Sequence, residues 1–240
     1  SITMKISKII NKFLYPKTYS SKAYIDHIRR SGGGIGDNCY IFDPKTVSID
    51  LFRPYLLDIG SNVVICAKTT ILTHDYSHTV LSEKYNINIG DAKPVKIGNN
   101  VFIGIGAMIL MGSQIGNNVI IGAQSVVHGV IPDNSVVAGN PAKIICTLDE
   151  YYNKRIQNEK KCAIQNVKLA EEKMGRIPTV EEMGDAFAWL YLPRQYETIK
   201  KYPEFFILPG KEKNKFVQDF MRSQPQYDSY EDFIKTIRDK

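Results

Sequence analysis

An aliphatic residue returns at every sixth position from Ile97 to Val127, through Ile103, Ile109, Ile115 and Ile121, and Gly98, Gly104, Gly116 and Gly122 directly follow four of them. Neither the 3.6-residue repeat of a helix nor the alternation of an ordinary strand gives that spacing, so it marks a repeating structural unit. Three six-residue strands make one triangular turn of a parallel β-helix, with the aliphatic side chain pointing into the prism. Glycine is expected to let the backbone bend at each corner. Val101, Ala107, Ser113, Val119 and Ser125 are expected to fill a small inward slot. Short antiparallel hairpins are the competing arrangement, but their turns would not hold this spacing through five units without slipping.

The coil is predicted over residues 35–146. IGDNCY and IFDPKT already scan as hexapeptides, register is lost through VSIDLFRPYLL, and it resumes at IGSNVV, ICAKTT and ILTHDY. From Asp75 to Pro94 the rhythm vanishes, which predicts an outward loop of functional importance. Regular turns return at Val95 and finish with IPDNSV and VAGNPA. Residues 1–34 form a separate N-terminal segment with two short helices, around 4–15 and 21–30, closed by Gly32, Gly33 and Gly34. The first is basic and amphipathic; packing across the end of the coil is favoured over a membrane-surface role. Residues 147–240 read as a C-terminal helical domain: one long charged helix from Leu148, a capping-box start at Thr179 to Glu182, and a weaker one at Ser229 to Asp232. Its many aromatics are read as a core rather than a sugar-stacking surface.

The 240 residues are 43% hydrophobic with a net charge of +6, enough for a sizeable core and a moderate excess that suits phosphate-bearing ligands or an anionic glycan. No Lys/Arg block is interleaved with aromatics, so nucleic acid is not an expected partner. No stretch approaches a membrane span and no signal-peptide layout is present, which predicts a cytoplasmic protein with Met4 as its natural first residue. Cys39, Cys66, Cys146 and Cys162 are scattered without a CxxC pair and are expected to be reduced, the first two at small inward positions.

Two of the four histidines, His74 and His78, lie in ILTHDYSH, where the coil gives way to the loop. A neutral imidazole there can take a proton from a hydroxyl, with Asp75 or Asp50 to orient it. Asp50, Arg53, Asp75 and Tyr76 are the nearest polar residues by coil reckoning and are the expected acceptor contacts. A three-histidine zinc site is not expected, because His74 and His78 are four apart and His128 is several turns away.

The block IGNNVFIGIGAMILMGSQIGNNVIIGAQSVVHGVIPDNSVVAGNPAKII, preceded by LTHDYSH and a loop, resembles the hexapeptide-repeat acyltransferases. The likeness is to the branch of galactoside, maltose and Nod-factor O-acetyltransferases and many capsule or lipopolysaccharide acetyltransferases. It covers about residues 35–146 and not the helical tail. The resemblance implies a left-handed parallel β-helix, against the usual crossover preference, assembled as a homotrimer that binds acetyl-CoA between neighbouring coils. It makes His74 the general base. It lays Gly104 and Ile105, then Ala123 and Gln124, along the pantetheine arm through main-chain groups, and brings Lys143 to the nucleotide end, where a cation can meet the 3′-phosphate. His128 and Gly129 stand where Thr and Lys are frequent. The implied activity is direct, metal-free, acetyl-CoA-dependent O-acetylation of a sugar hydroxyl on a surface-glycan precursor. N-acetylation of an amino sugar, a non-catalytic scaffold, and a metal enzyme of the γ-carbonic anhydrase kind are the alternatives.

Overall fold

The computed structural model describes residues 10–238. Residues 10–14 are helical, and the rest of the helix expected around 4–15 lies outside the described residues. The chain divides into two compact units, residues 1–149 and 150–240.

The first unit is a three-sided parallel coil. One sheet stacks Gly34–Ile35, Leu57–Ile59, Val95–Ile97, Gln114–Ile115 and Val130–Ile131; a second stacks Tyr40–Ile41, Val64–Ile65, Val101–Ile103, Val119–Ile121 and Ser135–Ala138; a third stacks Ser48–Ile49, Thr70–Ile71, Met108–Ile109 and Val126–Val127. Chain order visits the sheets in rotation, so each circuit rises by one strand. Register keeps like on like: Ile41, Ile65, Ile103, Ile121 and Val137 form one column of the second sheet, and Ile49, Ile71, Ile109 and Val127 one of the third. Ile65, Ile71, Ile103, Ile109 and Ile121 are fully buried, and each such side chain contributes about 1.5–3 kcal/mol. In the slots, the buried hydroxyls of Thr69, Ser113, Ser125 and Ser135 donate to the carbonyls of Cys66, Leu110, Gly122 and Pro132, three residues back in each case, at 2.6–2.8 Å. Polarity inside the prism is thereby satisfied locally.

The corners differ from the sequence expectation in two ways. The glycines after the aliphatic positions are not there for bending, since none of Gly98, Gly104, Gly116 and Gly122 has a positive φ. A Cβ on Gly98 would lie 2.6 Å from the Gly116 carbonyl oxygen, and one on Gly104 would lie 2.6 Å from the Ala123 nitrogen, so these positions exclude side chains because adjacent coils touch. Between the first and second sheets the bend is made by Asn38, Asn62, Asn100, Asn118 and Asn134, with φ of 53–58°, a conformation asparagine tolerates better than most residues. Their amides form a ladder: Asn100 donates to Asn118 and Asn118 to Asn134, each at 2.9 Å. The second difference concerns VSIDLFRPYLL, where the coil keeps its register. Short 3-10 turns, Pro44–Thr46 and Pro54–Leu56, push the surplus residues outward, and Ser48–Ile49 still pairs with Thr70–Ile71.

Helix α1, Ser21–Ser31, caps the first circuit. Tyr24, Ile25 and Ile28 join the coil's core, so the N-terminal segment shares that core. Polar groups of α1 stand in for the strand that is missing above: Ile41 N–H donates to Ser21 Oγ at 2.9 Å, and Ile49 N–H to the Tyr24 hydroxyl at 3.1 Å. At the other end Lys143–Thr147 turns back antiparallel on Ser135–Ala138.

The second unit is helical. Helix α3 (Leu148–Met174; α2 is His78–Tyr85 of the first unit) contributes Ala163 and Val167 to a core made largely of aromatics, among them Tyr191, Phe206, Phe220 and Phe233, all fully buried. Thr179 and Glu182 form a reciprocal capping box, and the Arg194 guanidinium sits 4.4 Å over the Phe220 ring.

Candidate active site

The third-to-first corner carries the loop, and the stacking of the coil decides what meets there. Because Ile49 pairs with Ile71, Asp50 on one circuit comes under Thr73 and His74 on the next. His74 Nδ1 is hydrogen-bonded to Asp50 Oδ2, which also accepts from the Thr73 hydroxyl at 2.6 Å and the Thr73 N–H at 3.1 Å; Oδ1 accepts from Phe52 N–H at 3.0 Å. The Asp50 side chain is 7% exposed and that of His74 20%. Burial would raise the Asp50 carboxyl, yet the hydrogen bonds from Thr73, Phe52 and His74 outweigh it and hold its pKa down to about 2 against an ordinary 3.8. An ionised carboxylate can only accept, which assigns the proton of the neutral imidazole to Nδ1 and leaves a lone pair on Nε2.

A cleft of about 260 Å³ opens in front of this pair, lined by Phe52, Arg53, His74, Asp75, Tyr76 and His78 with Gly90, Asp91 and Ala92 from the far end of the loop. An antiparallel bridge between His74 and Ala92 closes the loop at its base. The loop is not wholly irregular: α2, His78–Tyr85, runs through it with no buried residue, and Val80, Tyr85 and Ile89 are more than half exposed. Phe52 and Tyr76 present exposed rings beside the imidazole, with centroids 6.0 and 5.2 Å from it. Asp75 accepts from the hydroxyl and N–H of Ser77, which lower its pKa.

Of the four expected acceptor contacts, Arg53, Asp75 and Tyr76 line the cleft. Asp50 does not line it: its carboxylate is hydrogen-bonded to His74 Nδ1, the orienting role that the sequence offered to Asp75 or Asp50. Sequence reasoning missed Thr73 and Phe52, although Thr73 directly precedes the histidine and Phe52 lies two residues from Asp50.

Gly104, Ile105, Ala123 and Gln124 lie elsewhere, on the corner between the second and third sheets. There Gly104 N–H donates to Ile121 O, and Gln124 N–H to Ile105 O. The N–H groups of Ile105 and Ala123 make no hydrogen bond among the described residues, and both residues are exposed. Gln124 holds a positive φ of 58° with its amide packed over Gly106. Lys143 is exposed at the start of the final strand. Burial raises the Cys39 and Cys66 thiols, so neither is an activated nucleophile. Among the described residues no cluster of three His, Cys, Asp or Glu side chains converges as metal ligands would, and no helix is long and apolar enough to cross a membrane.

A family model described as bacterial transferase hexapeptide (six repeats) matches residues 94–129. Protein CapG of Staphylococcus aureus is 39% identical over 151 residues, an alignment spanning 61% of this chain and 84% of that protein. Galactoside O-acetyltransferase of Escherichia coli is 34% identical over 144 residues, spanning 58% of this chain and 63% of the relative. Several other curated relatives are spanned over about half their length, among them a putative lipopolysaccharide biosynthesis O-acetyl transferase, WbbJ of Escherichia coli, at 39% identity and 48% of its length. Among solved structures, a galactoside acetyltransferase in complex with coenzyme A aligns at a TM-score of 0.42 and 27% identity, covering 59% of this chain and 80% of that one.

Proposed function

The chain belongs to the bacterial hexapeptide-repeat transferases, and from that premise we propose that it transfers acetyl from acetyl-CoA to a sugar hydroxyl on a surface-glycan precursor. The observation that carries the reading is the Asp50–His74 pair facing an open cleft. Nε2 takes the proton of the acceptor hydroxyl as its oxygen attacks the thioester carbon, and the Asp50 carboxylate stabilises the imidazolium that forms. The proton then leaves with the CoA thiolate. Acetyl reaches the acceptor in one displacement, without an acyl-enzyme.

The donor edge suits the pantetheine arm because Ala123 offers an unpaired N–H to one of its amide carbonyls. Ile105 N–H, likewise unpaired, is the group that steadies charge developing on the thioester carbonyl oxygen, since that of Gly104 is already engaged with Ile121. Lys143 supplies the cation for the nucleotide phosphate.

His74 and the donor edge occupy different corners of the prism, so a second copy must bring one to the other. Both corners flank the third sheet, so a homotrimer that turns that sheet toward its axis brings the His74 corner of one copy to the donor edge of the next. The left-handed wind and cytoplasmic location belong to the same reading. The sugar as acceptor rests on the relatives named as galactoside and lipopolysaccharide O-acetyltransferases and on the exposed Phe52 and Tyr76 rings.

The test is acetyl-CoA consumption against a panel of nucleotide sugars, lipid-linked sugars and oligosaccharides, with His74→Ala alongside. The variant should lose about 10²–10⁴-fold in turnover while still binding CoA. Undiminished turnover in His74→Ala would remove the mechanism.

A further inference from the structure

We propose that His78 donates a hydrogen bond to the acceptor sugar, as a second imidazole in the same cleft that carries its proton on the nitrogen opposite to that of His74; the inference rests on the sugar-acetylation reading above. Its first support is an orphan atom. Among the described residues His78 Nδ1 is buried with no hydrogen-bond partner, while the ring lines the cleft. The ring therefore meets the cleft through the edge that carries Nε2. A buried N–H without an acceptor is among the rarest unpaired groups in folded proteins, whereas a proton on Nε2 can reach a ligand oxygen. The favoured tautomer is thus Nε2–H, a donor aimed into the cleft.

His74 is its complement, with Nδ1–H held by Asp50 and an accepting Nε2. Tyr76 stands between them, its ring centroid 5.2 Å from His74 and 5.5 Å from His78, and it is 64% exposed. A sugar ring laid against that phenol, as apolar sugar faces lie on aromatics, meets a proton acceptor on one side and a proton donor on the other. The reacting hydroxyl goes to His74. A second oxygen on the same sugar, whether a neighbouring hydroxyl, the ring oxygen or an acetamido carbonyl, goes to His78. Among the described residues no group hydrogen-bonds a ring nitrogen of His78: it opens α2 at a terminus where Ser77 makes no side-chain cap, its ring contact is with Tyr76, and Asp75 acts on it through charge alone.

Two measurements test this on the intact protein. Nitrogen-15 NMR of labelled imidazoles should find the neutral His78 protonated on Nε2 and His74 on Nδ1; a proton on His78 Nδ1 overturns the proposal whatever the kinetics. In steady-state assays with an acetylated sugar from the panel, His78→Phe and His78→Asn should raise the acceptor KM about 5- to 10-fold, the loss of one hydrogen bond, with the acetyl-CoA KM unchanged. His78→Gln, whose amide nitrogen falls where Nε2 was, should restore the acceptor KM to within about 3-fold of wild type, a residual far below one lost bond. Equal acceptor KM in wild type and His78→Phe, or equal impairment of His78→Gln and His78→Phe, overturns this inference alone. A wild-type protein that acetylates no sugar overturns the reading beneath it as well.

Discussion

Replacing Asp50 with asparagine keeps the side chain's shape and removes its charge. Two carboxylate oxygens now accept four hydrogen bonds, three at Oδ2 and one at Oδ1. An amide has a single oxygen, so in either orientation its NH₂ group confronts a donor. If it keeps the bond from Phe52, it turns that NH₂ toward His74 Nδ1, and the imidazole is satisfied only by moving its proton to Nε2. The lone pair that should deprotonate the acceptor is then gone. We expect kcat/KM to fall about 10²–10⁴-fold with acetyl-CoA affinity retained. Stability should change too. A carboxyl held at about 2 rather than 3.8 corresponds, at about 1.4 kcal/mol per unit, to up to about 2.5 kcal/mol. Because the folded pKa is depressed, that stabilisation is present above the unfolded value and disappears as pH falls from about 4 to about 2. The variant's melting temperature at neutral pH should drop by about 5–10 °C, and its stability should lack the wild-type decline over that acid range. Steady-state kinetics and thermal unfolding at pH 7 and pH 3 measure both. Wild-type turnover in Asp50→Asn, or parallel stability curves across the acid range, would refute the reasoning.

Two further substitutions probe the coil by thermal unfolding. Gly98→Ala should be severely destabilising even though its backbone conformation suits alanine, because the new methyl meets the Gly116 carbonyl oxygen at 2.6 Å; Gly129→Ala, with open space but a φ of 72°, should cost only about 1 kcal/mol. Asn118→Gly keeps the bend and deletes both rungs of the ladder, so it should lose about 1–2 kcal/mol, and Asn118→Ala should lose more by straining the backbone as well.

The inward residues were legible because a solenoid repeats its environment: Ile103, Ile109 and Ile121 recur in sequence since each meets the same neighbours one circuit away. What glycine does was not legible in the same way. A residue that bends the chain and one that lets two coils touch leave the same letter, and only the packing and the backbone angle separate Gly98 from Gly129. The Asn pairs at 99–100 and 117–118, eighteen residues apart, did carry a signal for the left-handed corner, one that a count of aliphatic positions passes over. The choice between Asp50 and Asp75 as the residue that orients His74 was left open because Asp50 lies in a stretch with surplus residues. Once Pro44–Thr46 and Pro54–Leu56 are seen to bulge outward, Ile49 remains stacked on Ile71 and Asp50 falls under His74. The free amides of Ile105 and Ala123 depend on which carbonyls the next coil leaves unused, and the orphaned nitrogen of His78 depends on how the loop folds back. Both are properties of packing rather than of pattern.

A parallel coil with bare ends is a template onto which another copy can dock end to end, since its terminal strands expose unsatisfied N–H and C=O groups all around the prism. Here Ser21 and Tyr24 occupy those groups on the first circuit, and the returning strand Lys143–Thr147 occupies them beside Ser135–Ala138 on the last. Growth along the axis is thereby opposed at both poles, and the two ends of the prism are closed to a further copy of the same coil.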